Sequence, residues 1–248
     1  MLWLSSMYMM DEKLKISGFV QETHDSYRLI ISYSKEPLVF KPGQFVMAGL
    51  MLKDKQGKER VMSRAYSIAS TPTYKDRLEL VIKEVPGGFL SKELGTLRAG
   101  DELYVKGPYG NYIYEESMGN KVVLIGAGSG ISPLRCILQY VVDKKLDAIE
   151  VLFIYSNKKP EDIICRKELE QYAQQHKNVK VVFTITRPEG TAWKGKTGRV
   201  DAAMLKQEIK DIAGSLYYLC GSPDFVKGVK ETLLSIGAPK EKIKEEKY

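Results

Sequence analysis

From residue 13 to residue 114, apolar and polar positions alternate in short bursts broken by glycine and proline. The runs 15–20, 27–31, 43–47, 64–70, 77–85 and 101–105 have the two-residue period of strands that bury one face. Pro42-Gly43, Pro86-Gly87-Gly88 and Gly107-Pro108-Tyr109-Gly110 punctuate them as turns. One stretch, 89–97, has helical spacing. Six short strands with a single helix predict a small antiparallel barrel, which hides strand edges by closing on itself.

The rhythm changes at Lys121. Apolar runs at 122–125, 149–155, 179–185 and 216–219 are continuous rather than alternating, and helix-like stretches at 134–142, 161–173, 202–210 and 225–236 separate them. Strands buried on both faces and alternating with helices predict a parallel sheet covered on each side. The polar stretch 115–120 lies between the two patterns, so the chain reads as two domains, 11–116 and 117–248, with no internal repeat.

Composition adds limits to this picture. A chain of 248 residues, 44% of them hydrophobic, holds two modest cores. Its three cysteines, Cys136, Cys165 and Cys220, are widely spaced and accompanied by two histidines. That pattern argues against a disulfide framework, a zinc site and an iron–sulfur cluster, and fits a reducing, cytoplasmic compartment. The net charge of +7 comes from scattered lysines that often alternate with glutamate, without a basic run interleaved with aromatics. Nucleic acid is therefore not the expected partner; a solvated surface explains most of the charges, and steering of an acidic partner explains an excess. The apolar start, residues 1–10, falls short of the roughly 20 residues that a bilayer span needs, and it lacks the features of a secretory signal. No stable membrane insertion is expected, and translation from Met9 or Met10 is the plainer account of that segment.

Four segments have the residue types of chemistry. In Arg64-Ala65-Tyr66-Ser67, strand alternation sends Arg64 and Tyr66 one way and Ala65 and Ser67 the other. A guanidinium holds a phosphate and a tyrosine stacks on an extended ring system, although an exposed barrel face would carry the same pair. Gly87-Gly88-Phe89-Leu90-Ser91 passes from strand to helix, where glycine lets a ligand approach the backbone and the first helical turn attracts an anion; a hairpin turn with a cap reads equally well. The run 126–133, GAGSGISP, follows a strand and opens a helix, as a nucleotide-phosphate turn does. Pro133 and the lack of an acidic residue after the second strand depart from the Rossmann fingerprint, but proline is tolerated in a first helical turn. Cys220-Gly221-Ser222 ends a strand on the edge where α/β sheets bind ligands, whereas Cys136 and Cys165 read as packing.

RAYS at 64–67, GGFLS at 87–91, GPYG at 107–110, GAGSGISP at 126–133 and CGSPDF at 220–225 occur in the order found in the ferredoxin–NADP reductase superfamily, which the chain resembles from residue 13 to its end. The resemblance implies an antiparallel six-stranded Greek-key β-barrel that binds FAD and an α/β domain that binds a pyridine nucleotide. By it, Arg64 holds the flavin diphosphate, Tyr66 stacks on the isoalloxazine and Ser67 lies near its reactive nitrogen. Ala65, the backbones of Val81, Ile82 and Lys83, and Gly88, Phe89, Leu90 and Ser91 complete the FAD site. Gly126, Gly128, Gly130, Ser132, Pro133, Gly221 and Ser222 fall to the nucleotide. Ser67, Cys220, Glu246 and the C-terminal Tyr248 match the residues that surround the meeting point of nicotinamide and flavin, where Glu246 carries or relays a proton and the Tyr248 ring shields the flavin face.

The stretch 162–170 looks like the cytochrome b5 reductase branch, which prefers NADH. Thr186-Arg187, with Arg199 nearby, instead matches the NADPH-using branch, because a cation suits the extra phosphate of NADPH. The reading preferred from sequence is an FAD-dependent, NADPH-oxidising reductase that passes single electrons to an acidic ferredoxin or flavodoxin. Its alternatives are an NADH-dependent reductase of a haem protein or oxygenase, and an electron-transfer subunit active only within a larger complex.

Overall fold

The computed structural model describes residues 9–54 and 56–247. The first half is a curled antiparallel sheet of β1 (Met10–Thr23), β2 (Ser26–Ser32), β3 (Phe45–Lys53), β4 (Glu59–Ser67), β5 (Arg77–Lys83) and β6 (Glu102–Tyr109), with α1 (Phe89–Gly95) between the last two. The strand order β4-β3-β6-β1-β2-β5 brings the first and last strands together, and a bridge between Ile68 and Leu80 closes the ring. Alternation drives the closure: Leu14 and Ile16 are buried while Lys13 and Lys15, which alternate with them, face solvent. The strand expected at 64–70 instead runs from Glu59 to Ser67. Its first residues are exposed on both faces of a projecting hairpin, so burial left no periodic trace in the sequence.

The second half is a parallel sheet of β7 (Lys121–Ala127), β8 (Glu150–Asn157), β9 (Val179–Ile185), β10 (Lys196–Thr197), β11 (Leu216–Gly221) and β12 (Ile243–Lys247), in the order β10-β9-β8-β7-β11-β12. The helices are α2 (Ile131–Asp143), α3 (Arg166–Gln175), α4 (Ala202–Glu208) and α5 (Pro223–Ser235). Successive residues of one strand serve opposite cores. Val122, Leu124, Tyr218 and Cys220 pack on the side of α2 and α3, and Val123, Ile125, Tyr217 and Leu219 on the side of α4 and α5. This two-sided burial is what the continuous apolar runs anticipated.

Two elements depart from the sequence reading. The helix expected from residue 161 starts at Arg166, because Pro160–Asp162 forms a short 3-10 turn and Cys165 adopts a left-handed conformation, φ 54°. There its backbone N–H donates across the domain junction to Glu22 Oε2, at 3.0 Å. The terminal strand β12 was not anticipated: it has one neighbour, β11, and only Ile243 is buried, so its sequence reads as polar. The chain runs outward from β7 to β8, β9 and β10 on one side, while β11 and β12 lie on the other. A crevice therefore opens above the carboxyl ends of β7 and β11, where such sheets bind ligands.

Candidate active site

The crevice is built first from backbone. After β7 a short 3-10 turn, Gly128–Gly130, leads into α2. Gly128 has φ 54°, a conformation that favours glycine. A Cβ on Gly130 would collide with the carbonyl oxygen of Cys220, so glycine there lets the turn touch the end of β11. The first turn of α2 has no side-chain cap, and Ser132 Oγ donates to the Ser129 carbonyl at 3.0 Å. Pro133 occupies the third helical position, where an N–H would have no intrahelical acceptor. The turn thus offers a helix N-terminus to an anion. On the other wall Gly221 ends β11 and Ser222 caps α5, its Oγ accepting from Phe225 N–H.

Three expected residues meet where this crevice faces the barrel. Strand pairing sets Cys220 beside Glu246, and Ser67, the last residue of β4, donates its hydroxyl to Glu246 Oε2 at 3.0 Å. That bond joins residues 179 positions apart, across the domain junction. Burial raises the Glu246 carboxyl above its ordinary range, and the Ser67 hydrogen bond offsets this in part. Cys220 is 1% exposed; burial and then the Glu246 charge push its thiol well up, against the pull of the Gly221 N–H. A thiol held neutral beside a carboxyl that keeps its proton to higher pH than an exposed one is an environment for holding or handing over a proton, rather than for nucleophilic attack. Tyr248 lies outside the described residues.

The flavin-side residues form a second group. Arg64 is exposed, and the hydrogen bond described for its guanidinium runs to the neighbouring Ser63 carbonyl at 2.8 Å. Ala65 is exposed as well, while Tyr66 leans on the barrel core and burial raises its phenol, Arg64 working against this. Val81, Ile82 and Lys83 pair with β2 on one side. On their other side no strand lies among the described residues, beyond the single bridge at Leu80. Gly88, Phe89 and Leu90 open α1, with Phe89 54% exposed. Ser91 is turned inward: its Oγ accepts from Val85 N–H and donates to the Gly88 carbonyl, both at 3.3 Å, closing the turn rather than facing a ligand. An available guanidinium, an exposed aromatic and an unpaired strand edge fit a phosphorylated, planar group such as FAD.

A third group lies at the far end of the crevice. Thr186 N–H and Arg187 N–H donate to the carbonyls of Asn157 and Lys158, at 2.9 and 2.8 Å, joining the ends of β8 and β9. Arg187 then lines a groove of about 500 Å³ with Lys158, Lys159, Glu161, Asp162 and, from the barrel, His24. Arg199 is exposed beyond β10 and does not line that groove. Among the described residues no group of His, Cys, Asp or Glu is placed to hold a metal ion, and no helix is long and apolar enough to cross a membrane.

Comparison with known proteins adds to this geometry. The oxidoreductase FAD-binding domain family matches residues 11–114, and the oxidoreductase NAD-binding domain family matches residues 124–231. NADH-cytochrome b5 reductase 1 of Mortierella alpina is 30% identical over 218 residues, which cover 86% of this chain and 70% of that protein. The chain belongs to the ferredoxin reductase and cytochrome b5 reductase family. Members of this reductase family share its fold: the cytochrome b5 reductase domain of Ulva prolifera nitrate reductase superposes with a TM-score of 0.84 at 24% identity, covering 96% of this chain and 97% of that one. A ferredoxin NADP+ reductase from Neisseria gonorrhoeae, solved with bound FAD and NADP, gives 0.78 at 25% identity, covering 95% and 98%.

The chain is thus a flavin-dependent NAD(P)H oxidoreductase with one FAD-binding and one NAD-binding domain. Sequence reasoning had named the reductase motifs but missed residues that organise them. Glu79 and Arg135, buried at the junction, drew no notice, and Glu168, which meets Arg135 there, entered only as part of the stretch 162–170. Tyr112, whose buried hydroxyl has no hydrogen-bond partner among the described residues, was not singled out. A charged residue inside an otherwise apolar helical stretch, as at Arg135, was the available signal.

Proposed function

We propose that this chain takes electrons from NADH onto FAD and delivers them to a haem protein of the cytochrome b5 kind. The observation that supports this most directly is the Ser67–Glu246–Cys220 junction, which a nucleotide turn and a flavin-side strand both reach, in a chain whose relatives include several named NADH-cytochrome b5 reductase. The ferredoxin or flavodoxin acceptor expected from sequence has weaker support, since those names specify a haem partner.

When bound, FAD would accept a hydride and release electrons singly. Arg64 would hold its diphosphate, and Tyr66 and the outer edge of β5 would orient its ring. The turn at Gly128–Gly130 and the start of α2 would seat the coenzyme pyrophosphate. Positioning supplies most of the protein's contribution to such a transfer. Ser67 and Cys220 would fix Glu246, whose carboxyl would hold or move a proton at the junction.

Purified protein with bound FAD should lose its yellow absorbance on adding NADH, and the reduced form should reduce cytochrome b5. Protein that purifies without FAD would sink the cofactor assignment. Faster reduction of ferredoxin than of cytochrome b5 would restore the acceptor first expected. One observation favours NADPH as a second coenzyme: the groove that brings Arg187, Lys158, Lys159 and His24 together suits an added ribose phosphate. Arg187→Ala should then raise KM for NADPH about tenfold or more, the loss of one charge-assisted contact, and leave KM for NADH unchanged.

A further inference from the structure

Tyr112 sits on the segment that joins the two domains, and the mechanism above leaves it unused. Its ring meets Tyr218 edge-on, with centroids 5.2 Å apart. Tyr218 and Cys220 stand two residues apart on β11, on the same face of the sheet, and Cys220 is paired with Glu246. Tyr112 therefore lies on the side toward which Cys220 and Glu246 point. It is 8% exposed, and its hydroxyl, fully enclosed, has no hydrogen-bond partner. Leaving a buried hydroxyl unpaired costs about 1–3 kcal/mol, and a phenylalanine would fill the same space without that cost.

The electrostatics define what this hydroxyl can do. Burial, then Cys220, Glu246 and Tyr218, push its pKa well above the usual phenol value, so it keeps its proton and acts as a donor. Glu246 needs a donor. Once ionised, it is a half-buried anion with Ser67 as its described hydrogen-bond donor. The other titratable or charged groups facing this cluster are Cys220 and Tyr218 of β11, Lys244 of β12, and Tyr114 and Glu115 of the linker. Tyr218 OH and Lys244 Nζ are engaged with the Ile113 carbonyl, at 2.7 and 3.0 Å, and Cys220 is a weak donor.

We propose that Tyr112 is a positioning residue of the Ser67–Glu246 pocket, its phenolic hydroxyl swinging to donate to the Glu246 carboxylate whenever that carboxylate is ionised. The unpartnered hydroxyl corresponds to the protonated state of Glu246. The phenolic oxygen lies on the axis about which its ring turns, so closing the bond takes a turn of the O–H about its C–O bond and a shift of the Glu246 side chain toward it. The proposal rests on the reading of Glu246 as the proton-holding group of the junction.

The test is an infrared pH titration of the oxidised FAD-bound protein, following the carbonyl band of the protonated Glu246 side chain, identified by its loss in Glu246→Gln. In Tyr112→Phe the midpoint should rise by about one pH unit, the loss of one charge-assisted donor. Difluorotyrosine at position 112, a stronger donor of nearly the same shape, should lower the midpoint, and this arm serves if the phenylalanine variant does not fold. An unshifted midpoint in both overturns the proposal alone, with the hydroxyl serving only a solvent molecule. Absence of a titrating band that Glu246→Gln removes overturns the reading of Glu246, and the proposal with it.

Discussion

Glu246 is half-buried yet ionisable, and its neighbours set the balance between those demands. Because burial holds its carboxyl above the ordinary value of 4.5, the folded chain binds this proton more tightly than the unfolded chain does. Its contribution to stability therefore falls as pH rises from 4.5 through the elevated value. Glu246→Gln should flatten that slope, which melting temperatures across mildly acid to neutral pH would show. Ser67→Ala should move the apparent pKa of coenzyme oxidation up by about one unit, because the donated hydrogen bond favours the charged form. The meeting of Ser67, Cys220 and Glu246 was legible only through the family likeness, since nothing local ties residue 67 to residue 246. Tyr112 was not legible at all: an aromatic next to a turn gives no sign that its hydroxyl ends up without a partner.

At the scale of elements, strands and helices were readable wherever burial imposed a period. β7 and β11 gave themselves away through unbroken apolar runs, and α2 and α5 through helical spacing between them. β12 was hidden because an edge strand needs one buried side chain here, and lysine and glutamate fill the rest. The start of α3 was hidden because the left-handed Cys165 is held by Glu22 from another domain. The turn before α2 is the element least able to change. Gly130→Ala would drive a methyl group into the Cys220 carbonyl and push β11 away from the turn. Overpacking of this kind costs about 1–3 kcal/mol, a fall of several degrees in melting temperature for a chain of this size, and coenzyme affinity should fall with it. Thermal melts and coenzyme titrations of the FAD-bound variant would check both.

The whole molecule is held together by a charged junction. Arg135 of α2 donates to the Ala69 carbonyl at 2.8 Å, contacts Glu79 of the barrel at 2.9 Å and Glu168 of α3 at 2.9 Å, while Arg28 contacts Glu79 at 2.8 Å and Glu22 at 2.9 Å. Burial works to raise Glu79, and Arg135 and Arg28 overcome it and hold its carboxyl below the ordinary range. This contribution is therefore present above the unfolded value near 4.5 and is lost as pH falls through the depressed folded value. Arg135→Met would remove the central partner and should cost about 3–5 kcal/mol, the usual result of stranding one member of a buried pair. Calorimetry should then show the two domains unfolding less cooperatively.

Arg135 and Glu79 have side chains only 2% and 3% exposed, beyond the reach of dissolved ions. The surplus positive charge lies elsewhere: 22 lysines and arginines against 16 acidic residues in 117–248, compared with 16 against 15 in 1–116. Raising the salt concentration should thus weaken encounters with an acidic electron acceptor while leaving the two halves clamped. A salt titration of acceptor reduction would read docking alone, undistorted by any loosening of the enzyme.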